Sequence, residues 1–141
     1  MGSVHFFVDE IYFKVPNPRK TSSWIKEAIA SENKELGELN LIFCSDEYLH
    51  KINHRYLNHN SLTDIITFDN SDRKDTIEGD IFISIDRVEE NSIAFQTGFA
   101  QELNRVIIHG VLHLIGYSDK SAGQRSKMRI KEDAYLSLHK K

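Results

Sequence analysis

Polar and apolar positions alternate at the start of the chain, and further along the spacing lengthens to the three and four residues of a helix face. Val4–Val8 and Ile11–Val15 read as two short strands rich in Phe, Val and Ile. Pro16 and Pro18 then predict a turn, and Thr21, Ser22 and Ser23 offer N-caps for a helix whose apolar face is Trp24, Ile25, Ala28 and Ile29. Gly37 interrupts the pattern, and Leu39–Cys44 follows as a compact buried strand. Ser45, Asp46 and Glu47 open a second helix with the stripe Leu49, Ile52 and Tyr56, leaving Lys51, His54 and Arg55 outside it. After a polar loop at Asn58–Ser61, the β-branched run Thr63–Phe68 predicts a strand. The charged stretch Asn70–Glu78 predicts an exposed connection, and Gly79–Ile85 is the clearest strand, with Ile81, Ile83 and Ile85 on one face. Asp86 and Glu89 read as a capping pair for a helix that Gly98 closes. An apolar helix follows from about Phe99, and Ser121-x-x-Gln124 is a capping box for a last helix bearing Arg125, Lys127, Arg129 and Lys131.

Strands and helices thus come in clusters, not in strict alternation. That order predicts an α+β fold with a small mixed β-sheet of about four strands packed with about five helices. The 141 residues fit a single domain, 1–141, large enough for a core without disulfides. Composition changes this picture little, at 40% hydrophobic and 28% charged residues. The single cysteine, Cys44, suits a reducing cytoplasm, and no basic-then-apolar leader or membrane-length apolar run is present, so a cytoplasmic protein with no membrane partner is expected. A formal net charge of −3 argues against a sequence-blind nucleic-acid binder while leaving room for a local basic groove.

Candidate chemistry concentrates in Val106–Asp119. His109 and His113 are four apart, so both imidazoles lie on one helix face. Their neighbours Leu103, Val106, Ile107, Ile108, Val111, Leu112, Leu114 and Ile115 are apolar nearly all round, which predicts a buried helix whose histidines are hydrogen-bonded or ligated. Gly116 ends the helix where a left-handed turn reverses the chain, and the reversal brings Asp119 level with the histidines. The result is a three-ligand metal site, on the central helix and the turn after it, with room for water. Gly110 stands where the protease motif His-Glu-x-x-His has its glutamate base, which disfavours a peptidase.

The stretch His109-Gly-Val-Leu-His113-Leu-Ile-Gly116-Tyr-Ser-Asp119 resembles the signature His-Gly-x-Leu-His-Leu-x-Gly-Tyr-Asp-His of the YbeY family of rRNA maturation factors, which are metal-dependent endoribonucleases. Ile52-Asn-His-Arg55-Tyr56 with Thr63-Asp64-Ile-Ile-Thr-Phe68, and Gly79-Asp80-Ile81, are similar to that family's other blocks. The resemblance implies one zinc, or another divalent metal, held by three side chains. It also implies cleavage of single-stranded RNA during 16S rRNA maturation and ribosome quality control. The implied partners are 16S rRNA and the small ribosomal subunit with its proteins.

Counted without a gap, the family's third histidine falls on Asp119, a competent oxygen ligand; one inserted residue would put Lys120 there instead, which must lose its proton to ligate. The arginine that family members carry after the first block's aromatic is Leu57 here. The charge developing on phosphate would then be met by Arg55, His59, Lys120 or the metal itself, with Thr63 and Asp64 lining the cleft. The alternative is a ribosome-assembly factor that binds RNA and protein with little or no cleavage.

Overall fold

A computed structural model describes residues 2–57 and 63–139, and side chains throughout these except at positions 56 and 57. Four strands form one mixed sheet in the order β1-β2-β4-β3. They are β1 (Ser3–Val8), β2 (Glu35–Cys44), β3 (Ile65–Asp69) and β4 (Thr76–Ser84). β1, β2 and β4 run parallel, and β3 closes the edge antiparallel to β4, pairing Ile65 with Ile83 and Phe68 with Asp80. Among the described residues five helices surround the sheet: α1 (Pro18–Ser31), α2 (Asp46–Leu57), α3 (Ile85–Ala94), α4 (Phe99–Ile115) and α5 (Ala122–His139). The α+β expectation of four strands and five helices therefore holds. No described helix is long and apolar enough to cross a membrane.

Strand alternation sorts the two sheet faces. Leu39, Leu41 and Phe43 of β2 and Ile77, Ile81 and Ile83 of β4 join Trp24, Ile25 and Ile29 of α1 and Val106, Ile107, Val111 and Leu112 of α4 in the main core. The opposite face is covered by α2, through Leu49 and Ile52 against Cys44 and Ile66 with Tyr48, Phe68 and Phe82 beside them. α4 lies close upon β3 and β4. A Cβ built at Gly110 would sit 2.7 Å from Ile65 Cδ1 and 3.0 Å from Ile81 Cγ2. Glycine at that point lets the helix approach the sheet between its two histidines.

Several boundaries differ from the sequence reading, each for a local reason. Ile11–Val15 is not a strand. Its alternation reflects one-sided burial of an extended segment, in which Phe13 and Val15 pack on the core while Tyr12 is fully exposed. α1 begins at Pro18, not at the Thr-Ser-Ser run, because proline's fixed φ suits the first helical turn. Asn17 caps α1 from the left-handed region, and Thr21 is buried. Gly37 does not end an element: β2 runs through it with a bulge between Leu36 and Leu39. β4 already starts at Thr76, inside the expected connection, and β3 begins at Ile65. Ile85 opens α3 instead of ending β4, since Ser84 caps that helix by accepting from Arg87 N–H at 3.2 Å. Gln96, at φ 55°, follows the end of α3, and Gly98 instead caps the start of α4. The capping box at α5 is present in full: Ser121 Oγ accepts from Gln124 N–H at 3.1 Å, and Gln124 Oε1 accepts from Ser121 N–H at 3.0 Å.

Candidate metal centre

The last turn of α4 sets the geometry. His109 and His113 stack edge to face, with ring centroids 4.5 Å apart and planes at 82°. Their Nε2 atoms converge to 2.9 Å. Gly116, at φ 127°, ends the helix in a conformation that side-chain-bearing residues rarely adopt. Its N–H donates to the Leu112 and His113 carbonyls, and Tyr117 N–H donates to Leu112 O at 3.0 Å, so the chain doubles back over the helix end. The reversal brings Asp119 Oδ2 to 3.4 Å from His109 Nε2 and 3.3 Å from His113 Nε2.

These three atoms suit a divalent ion. Ligand atoms held about 2.0–2.1 Å from a tetrahedral centre stand about 3.3 Å from one another. Two of the three separations match that value, and the third is a few tenths of an ångström tighter. The Asp119 side chain is 41% exposed against 23% and 27% for the histidines, so the cluster opens to solvent on the Asp119 side. His109, His113 and Asp119 are together the group among the described residues that could hold a metal. Two imidazoles and a carboxylate are the donor types of a catalytic site that keeps an open position.

Behind His109 lies a second layer that the sequence reading missed. Glu132 Oε2 is 2.6 Å from His109 Nδ1. Its Oε1 accepts from Arg105 Nη1 at 2.8 Å, and Arg105 Nη2 donates to Asp133 Oδ1 at 2.6 Å. Glu132 is buried. Burial pushes its carboxyl up, but the hydrogen bonds from His109 and Arg105 outweigh that and hold it below the usual range. For His109, burial disfavours the cation, yet the hydrogen bond and charge of Glu132, with Asp119 and Asp64, raise its pKa. A sequence signal for Glu132 did exist. It sits on the buried stripe of α5 with Met128, Tyr135 and Leu136, where an acid needs a partner.

The other sequence candidates separate. Asp64, just before β3, lies within electrostatic reach of His109; burial raises its pKa, with His109 the leading opposing influence. Thr63 makes a local bond, its Oγ1 donating to Ile65 O at 3.2 Å. Lys120 is exposed and outside the converging group, while its N–H donates to Gln124 Oε1 at 3.1 Å. Arg125 braces the same turn, with Nη1 3.4 Å from the Asp119 and Lys120 carbonyls. Arg55 lines a cleft of about 490 Å³ beside α2, with Tyr48, Phe68 and Phe82, on the sheet face opposite α4. His59 lies outside the described residues, as does the Leu57 side chain.

Comparison with known proteins supplies the context. The family model described as Endoribonuclease YbeY matches residues 10–140. A relative named Endoribonuclease YbeY from Amoebophilus asiaticus is 48% identical over 135 residues, 96% of this chain and 92% of the relative. One of the same name from Flavobacterium psychrophilum is 52% identical over 129 residues, covering 92% and 91%. The solution structure of TM1509 from Thermotoga maritima superposes with a TM-score of 0.68 over 96% of this chain and 88% of that one, at 24% identity, and so bears on the fold alone.

Proposed function

The chain belongs to the YbeY family of endoribonucleases, and from that premise we propose that it is a metal-dependent enzyme cutting single-stranded RNA, with one zinc or another divalent ion held by His109, His113 and Asp119. The single observation that supports this reading is the convergence of three donor atoms from the α4 terminus and the turn after it. The proposed setting is 16S rRNA maturation and ribosome quality control in the cytoplasm, with the small ribosomal subunit and its proteins as partners.

A divalent ion held there would supply Lewis-acid charge to a phosphodiester and lower the pKa of a water toward neutrality. The chain supplies the rest. His109 Nε2, His113 Nε2 and Asp119 Oδ2 would hold the ion, and the exposed side of Asp119 would leave the approach for RNA. Gly110 stands between the histidines, so the position that carries the glutamate base in His-Glu-x-x-His has no carboxylate here. Lys120 and Arg125 put positive charge beside the Asp119 turn, where a phosphate would arrive. Asp119, not Lys120, is the proposed third ligand, since the carboxylate is the group that faces both imidazoles.

A single-stranded RNA cleavage assay with and without chelator, beside elemental analysis, tests the reading. Asp119→Ala should lose most metal and activity, and Lys120→Ala should keep the metal. Full metal content in Asp119→Ala would overturn the ligand set. The second reading, an assembly factor with little cleavage, is favoured by Leu57 at the position where the family resemblance implies arginine. Metal-loaded protein that binds RNA in a salt-dependent way yet leaves it uncut would select it. Leu57→Arg would then raise cleavage.

A further inference from the structure

The Glu132–Arg105 pair has no place in the ligand set, yet it touches the set at its innermost atom. A neutral imidazole carries one proton. In His109 that proton has two places to go. On Nδ1 it meets a buried carboxylate oxygen at 2.6 Å. On Nε2 it would point into the cluster, toward His113 at 2.9 Å and Asp119 at 3.4 Å. The second choice leaves two lone-pair atoms facing each other between His109 and Glu132, in a buried place where that contact is repulsive. It would also put hydrogen on the atom an ion needs.

We propose that Glu132 is the positioning residue of the metal centre: clamped by Arg105, it fixes the His109 proton on Nδ1 and so presents Nε2 bare to the ion. The inference rests on the metal-binding reading above. Arg105 and His109 are one turn apart on α4, and both meet the same carboxylate of α5. The carboxylate cannot swing away, because its other oxygen is bonded to a guanidinium that also grips Asp133. The Arg105 charge offsets that of Glu132, so what reaches the ion through His109 is chiefly orientation.

Glu132→Gln tests this with almost no change of shape. Arg105 is the stronger donor and claims the amide oxygen, so the NH2 faces His109 Nδ1 and drives the ring proton to Nε2. The variant is expected to bind zinc about 10–100-fold more weakly in a chelator-competition titration, the usual scale for losing an outer partner of a ligating histidine. Nitrogen NMR of the metal-free protein, at a pH where His109 is neutral, should show Nδ1 alone protonated in the parent and Nε2 alone in the variant. Adding Arg105→Met to Glu132→Gln frees the amide oxygen to turn to His109, and should recover part of the affinity, an outcome that a merely structural role does not produce. A folded Glu132→Gln that binds zinc within about threefold of the parent would overturn the proposal. So would a neutral parent His109 that carries its proton on Nε2, a measurement that needs no variant. A parent that binds no metal would instead sink the functional reading, while the tautomer measurement would still decide this one.

Discussion

Glu32 is the best single lever on the shape of this centre, although it lies far from it in sequence. It caps the end of α1, and its carboxylate gathers donors from two later elements. Oε1 accepts from Tyr117 Oη at 2.6 Å, while Oε2 accepts from Lys131 Nζ at 3.0 Å and from Tyr135 Oη. Glu32→Ala strips the acceptor from two phenols and an ammonium. A hydrogen bond to a charged group contributes about 1.5–3 kcal/mol. Lys131 is 35% exposed, so its share falls to about 0–1 kcal/mol. Water can re-solvate part of the rest, leaving a loss of about 2–4 kcal/mol. Urea unfolding of the metal-free protein, followed by Trp24 emission, should then show a midpoint lower by roughly 1–2 M at an m-value of about 2 kcal/mol/M. Tyr117 precedes Asp119 by two positions, so metal affinity should fall as well. The pH profile gives an independent check. Burial pushes the Glu32 carboxyl up, but the hydrogen bonds from Tyr117, Tyr135 and Lys131 outweigh it and hold it below the ordinary range. A carboxyl depressed in the folded state contributes its full stability above the unfolded pKa, about 4.3, and loses it as pH falls through the folded value. Glu32→Gln should flatten that acid window. A midpoint shift under about 0.3 M for Glu32→Ala, or an unchanged acid profile for Glu32→Gln, would refute the reasoning.

Gly110→Ala gains up to about 1 kcal/mol of helix propensity but meets Ile81 Cγ2, a stiff branched carbon, at 3.0 Å. Overpacking of about 1–3 kcal/mol should win and lower the melting temperature, and Ile65→Val, which removes the 2.7 Å neighbour, should restore part of it. Trp24, the sole tryptophan, meets His139 edge to face at 4.6 Å. Burial, with a smaller contribution from Lys20, lowers the His139 pKa. Trp24 emission should therefore titrate with a midpoint below the ordinary histidine value of about 6.5, and the step should vanish in His139→Gln. The unfolded chain binds that proton more readily, so this histidine lowers stability as pH falls below about 6.5.

Local signals in the sequence carried much of this molecule, and pairwise ones across elements did not. The Ser121–Gln124 capping box and the reversal at Gly116 are written within a few residues, and both stand as read. Ile11–Val15 misled because alternation records one-sided burial, which a strand and an extended loop share. Glu132 escaped notice because Lys131 and Asp133 flank it and make a buried acid resemble a solvated run. Its partners Arg105 and His109 come from another helix, and nothing in the spacing of one helix reports the face of the next. Glu32 hid in the same way, with Tyr117 85 positions away.

α5 is the last element of the described chain, and this gives the order of synthesis a consequence. A growing chain that ends at Asp119 already holds all three proposed ligands. It lacks the carboxylate behind His109 and the Lys131 and Tyr135 groups that share Glu32 with Tyr117. Chains emerge from the ribosome N-terminus first. On the proposed roles, the nascent protein would pass the RNA of the ribosome making it with its centre still loosely formed. The centre would reach its full affinity for the ion, and with it the full capacity to cut, only once α5 had docked.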